Sequence, residues 1–273
     1  MADLDGVYAK LARASEHHDA LYQAVEGFFE SKPYEITDEL DASGTEYVGR
    51  FYMRRPFDPR LATLIGDCLF NVRSALDHLA WALASRHGPP PRSTEFPIFI
   101  DENKFHAFEK DGVTPKRGSG LAKIAGIRDP EARANIAALQ PYKGWAGSSA
   151  DQHPLWLINE LNRVDKHQLL LVVATRSRGT YGFGDPDYTG DPAVYIDHAE
   201  FASGPLPDGA PFARIKVRPP QSQMHMQVNP ALTIAFEEGQ GVSRESGETL
   251  FDVLWTCRNF AGFAVERFRK HFP

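Results

Sequence analysis

Apolar residues recur at three- and four-residue intervals over several long stretches of this chain, and as alternating or short continuous runs over others, so the pattern predicts a mixed protein. The first helix is expected over residues 4–30, where Leu11, Leu21, Val25 and Phe28 supply apolar positions and Pro33 blocks continuation. β-prone runs at 34–37 and 46–53 flank Asp41-Ala42-Ser43-Gly44, which has the composition of a hairpin turn. A second helix opens at Asp58-Pro59, an N-cap followed by proline, and runs to Gly88, beyond which three prolines stop it. Residues 89–153 are loop-rich, with short helical pieces at 102–109 and 131–139 and a glycine-serine segment at 144–150; flexibility is expected here. His153-Pro154 begins a third helix over 155–166, which leads into 169–175, a run apolar enough for a buried strand. Strands are expected at 193–196, 212–217, 224–228 and 232–236, and residues 247–271 return to helical spacing through Leu250, Val253, Leu254, Cys257 and Phe260.

These elements predict an α+β fold: a bundle of about four long helices carrying a hairpin and a small antiparallel sheet. The bundle lacks its fourth helix until residues 247–271 arrive. A single integrated domain over 1–273, with 176–240 as a β-rich elaboration, is therefore preferred to two independent units.

Composition narrows the functional classes. Hydrophobic residues at 42% and charged residues at 24% argue against disorder, and no apolar run approaches the length of a membrane span. The acidic start Met1-Ala2-Asp3-Leu4-Asp5 lacks the basic and apolar regions of a secretion signal, so a cytoplasmic protein is expected. A formal charge of −6 supplies no global basic field for duplex nucleic acid, although a local basic site remains open. Cys68 and Cys257 each lie among apolar neighbours without a second cysteine at ligand spacing, which reads as two buried thiols.

The second helix holds the densest chemistry. Leu61, Ile65, Leu69, Val72, Leu76 and Leu83 gather on one side, which is core. The opposite side gathers Asn71, Arg73, Ser74, Asp77 and His78, yet Phe70 and Trp81 lie in its middle. Aromatics among polar groups are what a helix shows when a second surface covers it, either the β layer or another subunit. Asn71 and Ser74 lie on the face of His78 and could set its tautomer, whereas Asp77 points about 100° away. A plainer reading stands beside this: Arg73 and Asp77 form an i, i+4 pair, and His78 is a hydrogen-bonded histidine at a buried junction.

Arg73, four intervening residues and His78 resemble the R-x4–6-H signature of the HEPN superfamily of helical bundles. The strings RSALDHLAW at 73–81 and LNRVDKHQLL at 161–170 are similar to those of a group of uncharacterised bacterial proteins. Ser74 departs from the stronger polar residue that HEPN proteins often carry after the arginine, and the β-rich 176–240 departs from their compact helical pattern. The resemblance implies a homodimer that binds or cuts RNA without a metal or other cofactor, in a defence or toxin setting. In such a protein Arg73 would hold the phosphate, His78 would act as acid or base, and Phe70 and Trp81 would stack bases or seal the dimer.

Two alternatives remain open. In one, the same polar residues only fix helix packing in a noncatalytic dimer. In the other, Asp77, His78, Glu160, Asp165 and His167 hold a metal ion between facing helices, although no E-x-x-H or H-E-x-x-H motif is present. On the third helix Glu160, Asp165 and His167 could instead supply an acid or an orienting carboxylate, or simply form an interhelix polar network. His17-His18 reads as a surface pair. Residues 112–120, with Lys116-Arg117-Gly118-Ser119-Gly120, lack the order of a phosphate loop and read as a mobile basic loop. Residues 176–184 mix basic, aromatic and glycine residues as single-strand binders do, or merely connect strands.

Overall fold

The computed structural model describes residues 3–145, 149–168, 170, 172–176, 195–202, 204–218, 220, 232–236 and 249–272. The expected strand at 224–228 and residues 177–184 of the basic-aromatic stretch lie outside them. The described residues form an α+β protein with seven α-helices and antiparallel sheets. Three helices are long: α1 (Asp5–Glu30), α2 (Arg60–Ser85) and α7 (Leu250–Phe268). The expected third helix, α6 (Pro154–Asp165), is only 12 residues, so four long helices is more than the described residues contain. The short α3 (Glu102–Phe105), α4 (Gly120–Lys123) and α5 (Pro130–Ala138) lie between α2 and α6.

Helix α2 is the centre of the molecule. Sixteen of its 26 residues are buried, so it is covered on more than one side, whereas α1 buries only four and lies against it from outside. Leu69, Leu76 and Leu79 are fully enclosed, each worth about 1.5–3 kcal/mol of burial. Helices α6 and α7 share this core through Leu155, Leu161, Leu254 and Val265. Asp58 accepts a hydrogen bond from the Arg60 amide at 2.9 Å, so the helix starts one residue later than the Asp58-Pro59 signature implies. It ends at Ser85, three residues short of Gly88, whose φ of 124° suits a residue without a Cβ.

Between α2 and α6, residues 146–148 of the expected glycine-serine segment lie outside the described residues, and much of the expected loop-rich stretch is packed. Phe96, Phe105, Ile124, Ile127, Ala132 and Ile136 are all buried in the same core as α2. Gln140, also buried, accepts from the Phe99 amide at 3.0 Å and donates to the Pro97 carbonyl at 2.8 Å. At the chain end His271 Nδ1 lies 2.7 Å from Asp129 Oδ2, and Asp129 in turn caps α5 through the Glu131 and Ala132 amides.

Strands β1 (Tyr34–Leu40) and β2 (Glu46–Met53) form the expected hairpin. Asp41 shapes its turn, accepting from the Thr45 and Glu46 amides at 2.8 and 2.7 Å and from the Ser43 hydroxyl; these bonds hold its carboxyl down at about 2. Strands β3 (Val172–Arg176), β4 (Tyr195–Phe201), β5 (Pro211–Arg218) and β6 (Leu232–Phe236) complete the set. One sheet has the order β1-β2-β5-β4 and the other pairs β3 with β6. Gly49 marks a register shift in β2, and a Cβ there would lie 2.7 Å from the Phe212 ring, so glycine lets β2 and β5 close together. Phe51, Phe212 and Ala213 form a smaller core on this sheet, separate from the helical one. Among the described residues no helix is long and apolar enough to cross a membrane.

Candidate functional site

Arg73 and His78, one and a half turns apart on α2, meet different surroundings. The Arg73 side chain is only 11% exposed. Its Nη2 donates to Asp77 Oδ1 at 2.8 Å and to the Phe96 carbonyl at 2.9 Å. Asp77 Oδ1 accepts from the Phe96 amide at 2.9 Å, so two side chains one turn apart hold both polar groups of a single peptide residue. Burial pushes the Asp77 carboxyl above the usual carboxylate range, and the Arg73 guanidinium and the Phe96 amide only partly offset it. Glu95 Oε2 approaches Arg73 at 3.9 Å and Glu95 Oε1 pairs with Lys123 at 2.7 Å, which ties α4 to the same latch. The phosphate clamp that the resemblance assigns to Arg73 thus meets a guanidinium whose Nη2 is taken up by protein groups. Its charge is committed to the segment that covers α2, with Nη1 buried and without a hydrogen-bond partner.

His78, by contrast, is exposed and lines a groove of about 730 Å³. Among the described residues its ring makes no hydrogen bond or ion pair with a protein group. The wall opposite is the start of α1: a Cβ on Gly6 would lie 3.1 Å from His78 Nδ1, so glycine leaves room for the imidazole. Asp77 and Trp81 line the same groove, together with Asp3, Ser85 and Thr94. Asp77 therefore shares the cleft of His78, although the two residues are about 100° apart around the helix. Trp81 is 45% exposed, a broad aromatic surface beside a free imidazole.

Neither Asn71 nor Ser74 bonds His78. Asn71 donates to the Asp67 carbonyl at 2.8 Å and accepts from Lys10 Nζ at 3.3 Å, while Ser74 is half-buried. Phe70 is 48% exposed, with the Lys10 ammonium 5.5 Å from its ring centre. Within the chain, α1 and the residues around Phe96 meet the polar side of α2, while Phe70 and Trp81 stay exposed.

The third-helix candidates do not join His78. Glu160 is buried and gripped by Arg163 at 3.0 and 2.5 Å on its own helix. Asp165 packs against Gly66 of α2, where burial and the neighbouring charge of Asp67 raise its carboxyl above the ordinary range. Gly66 precedes His78 by twelve helical residues, roughly 18 Å along α2. His167 lies beyond the end of α6 and is exposed. The metal alternative needs these groups to converge, and among the described residues no three His, Cys, Asp or Glu do so.

Other residues depart from their expected places. His17 and His18 are half-buried, with His17 Nδ1 3.9 Å from Asp67 and the His18 ring edge-on to Phe251. Cys68 and Cys257 are buried as expected, and burial pushes the Cys68 thiol up to about 12. His153 is a residue the pattern pointed to only as a helix start. It is the N-cap of α6, with Nδ1 accepting from the Leu155 amide at 3.1 Å, and burial lowers its imidazole to about 4. Thr94, Asp3 and Gly6 carry no motif and enter the groove through tertiary packing alone.

Comparison of the chain with family models, curated proteins and solved structures finds no match.

Proposed function

We propose that the chain is a HEPN-like, metal-independent endoribonuclease of the cytoplasm, with its helices forming a HEPN-type bundle and His78 as the acid–base group. The observation that carries this reading is an imidazole open to solvent, unpaired among the described residues, between a carboxylate and an exposed indole in a groove large enough for a nucleotide. His78 would take the proton of a ribose 2′-hydroxyl as that oxygen attacks phosphorus, or deliver one to the departing 5′-oxygen; the product ends would be a 2′,3′-cyclic phosphate and a 5′-hydroxyl. Arg73 acts as a positioning residue that holds the Asp77 carboxylate beside this groove. Trp81 offers a stacking face for a base. Incubation of wild type and His78→Ala with a single-stranded oligoribonucleotide in chelator tests the reading. Cleavage by the wild type and a loss of 100-fold or more in the variant are expected, since general acid–base groups contribute about that much. Equal cleavage by both removes it.

A second reading rests on the burial of Arg73. Here the Arg73–Asp77 pair only fastens the 94–99 segment, and Phe70 and Trp81 meet a second copy of the chain. Sedimentation of wild type and Trp81→Glu separates the two readings: a dimer lost in the variant, with no cleavage by either protein, favours the scaffold.

A further inference from the structure

Thr94 borders two cavities. One is the groove of His78; the other is a separate cavity of about 320 Å³ lined by Arg92, Arg117 and Lys123 along with Glu95 and Gly118. Three cations and one carboxylate face this second space, in a protein whose formal charge is −6. The carboxylate is already engaged, since Glu95 pairs with Lys123 at 2.7 Å. Arg92 and Arg117 are exposed, and among the described residues neither guanidinium has an ion-pair or hydrogen-bond partner. Thr94 itself is nine-tenths buried, and among the described residues its Oγ1 has no hydrogen-bond partner.

Both arginines are set on ordered backbone. The Phe96 end of the Arg92 segment is held by the Arg73–Asp77 latch. On the other side the Glu109 amide donates to the Thr114 carbonyl, the Lys116 amide to the Ala107 carbonyl and the Arg117 amide to Glu109 Oε1, all between 2.8 and 3.2 Å. The Lys116–Gly120 run, which lacks the residue order of a phosphate loop, is thereby carried on a closed turn beside a cavity.

We propose that this cavity is an oxyanion subsite for a phosphate of single-stranded RNA, one that holds the backbone while the neighbouring nucleotide occupies the groove of His78. Guanidinium groups suit the task because their planar donors match phosphate oxygens in pairs. The inference rests on the ribonuclease reading for the identity of the ligand, and it moves phosphate recognition from Arg73 to Arg92 and Arg117. A phosphate oxyanion could also come from inorganic phosphate, so the test includes that source.

The experiment measures binding of the full chain to a fluorescent, 2′-O-methylated single-stranded oligoribonucleotide, which cannot be cleaved, over a salt series in chelator. Wild type, Arg92→Ala/Arg117→Ala and a control of equal charge loss, Lys110→Ala/Arg128→Ala, are compared after thermal unfolding confirms that each is folded. The Arg92/Arg117 variant is expected to bind ten-fold or more weakly at low salt, with the slope of log affinity against log salt reduced by about 1.4 for two lost contacts. The control is expected to bind within about two-fold of wild type by the same electrostatic argument. No binding by wild type, unchanged binding by the Arg92/Arg117 variant, or an equal loss in the control each overturns the proposal. Stabilisation by inorganic phosphate that depends on both arginines, without oligonucleotide binding, overturns the RNA assignment. Selective loss of binding in the Arg92/Arg117 variant, with no cleavage of unmodified RNA by wild type, upholds the subsite and removes the His78 reading. Cleavage that depends on His78, with binding unchanged in the Arg92/Arg117 variant, does the reverse.

Discussion

Arg73 and Asp77 close a ring of hydrogen bonds on the backbone of Phe96: the guanidinium donates to its carbonyl, the carboxylate accepts from its amide, and the two side chains bond each other at 2.8 Å. Phe96 is wholly enclosed, so the ring orients a core side chain as well as a loop. Such an arrangement holds one residue's backbone through both its donor and its acceptor, and it leaves no position open for a ligand on Nη2.

The latch gives the first prediction. Arg73→Ala leaves the Phe96 carbonyl and the half-buried Asp77 carboxylate without their partner, and should lower unfolding stability by about 1–3 kcal/mol. His78→Ala, at an exposed position without side-chain bonds among the described residues, should change it by less than about 0.5 kcal/mol. Urea unfolding of both variants checks the contrast, and a Phe96-region amide that exchanges as slowly in Arg73→Ala as in wild type would remove the latch.

The second concerns pH. His153 is buried and neutral, accepting the Leu155 amide, with its imidazole lowered to about 4 from an ordinary value near 6.5. Between those values the unfolded chain binds a proton that the folded chain refuses, so stability is full above about 6.5 and falls as the pH drops toward about 4. The loss is on the order of 3 kcal/mol at most. His153→Asn keeps an N-cap acceptor and removes the titration. Its urea midpoint should therefore vary less with pH across this interval than that of wild type, and parallel curves would refute the assignment.

The third tests the contact between α2 and α6. A Cβ at Gly66 would overlap the Asp165 carboxyl, so Gly66→Ala should destabilise by about 1–3 kcal/mol despite the better helix propensity of alanine. Adding Asp165→Ala removes the obstruction and should restore most of the loss. A double-mutant cycle by thermal unfolding measures the coupling, and additive effects would show that the two residues do not meet.

Much of the helical architecture was legible because periodicity and capping are local. Residues 4–30 and 247–271 anticipate α1 and α7 within a few positions, and the strand at 232–236 coincides with β6. The weak points were places where no local signal exists. Residues 89–153 hold few periodic apolar positions, yet Phe96, Phe105 and Ile124 are driven into the core by contact with α2. The helical wheel put Arg73 among polar residues on one side of α2, but it could not register that a segment 23 residues onward would offer a carbonyl there.

What the sequence determined by itself is therefore the α+β class, the course of the long helices, the hairpin and the burial of both cysteines, all consequences of short-range spacing and side-chain hydrophobicity. Tertiary structure alone decided that Arg73 faces inward, that His78 stays open beside Trp81, and that Arg92 and Arg117 meet across a cavity. These outcomes depend on which distant backbone groups reach each charge, because a guanidinium follows the nearest desolvated acceptor, and residue spacing carries no record of where that acceptor will lie.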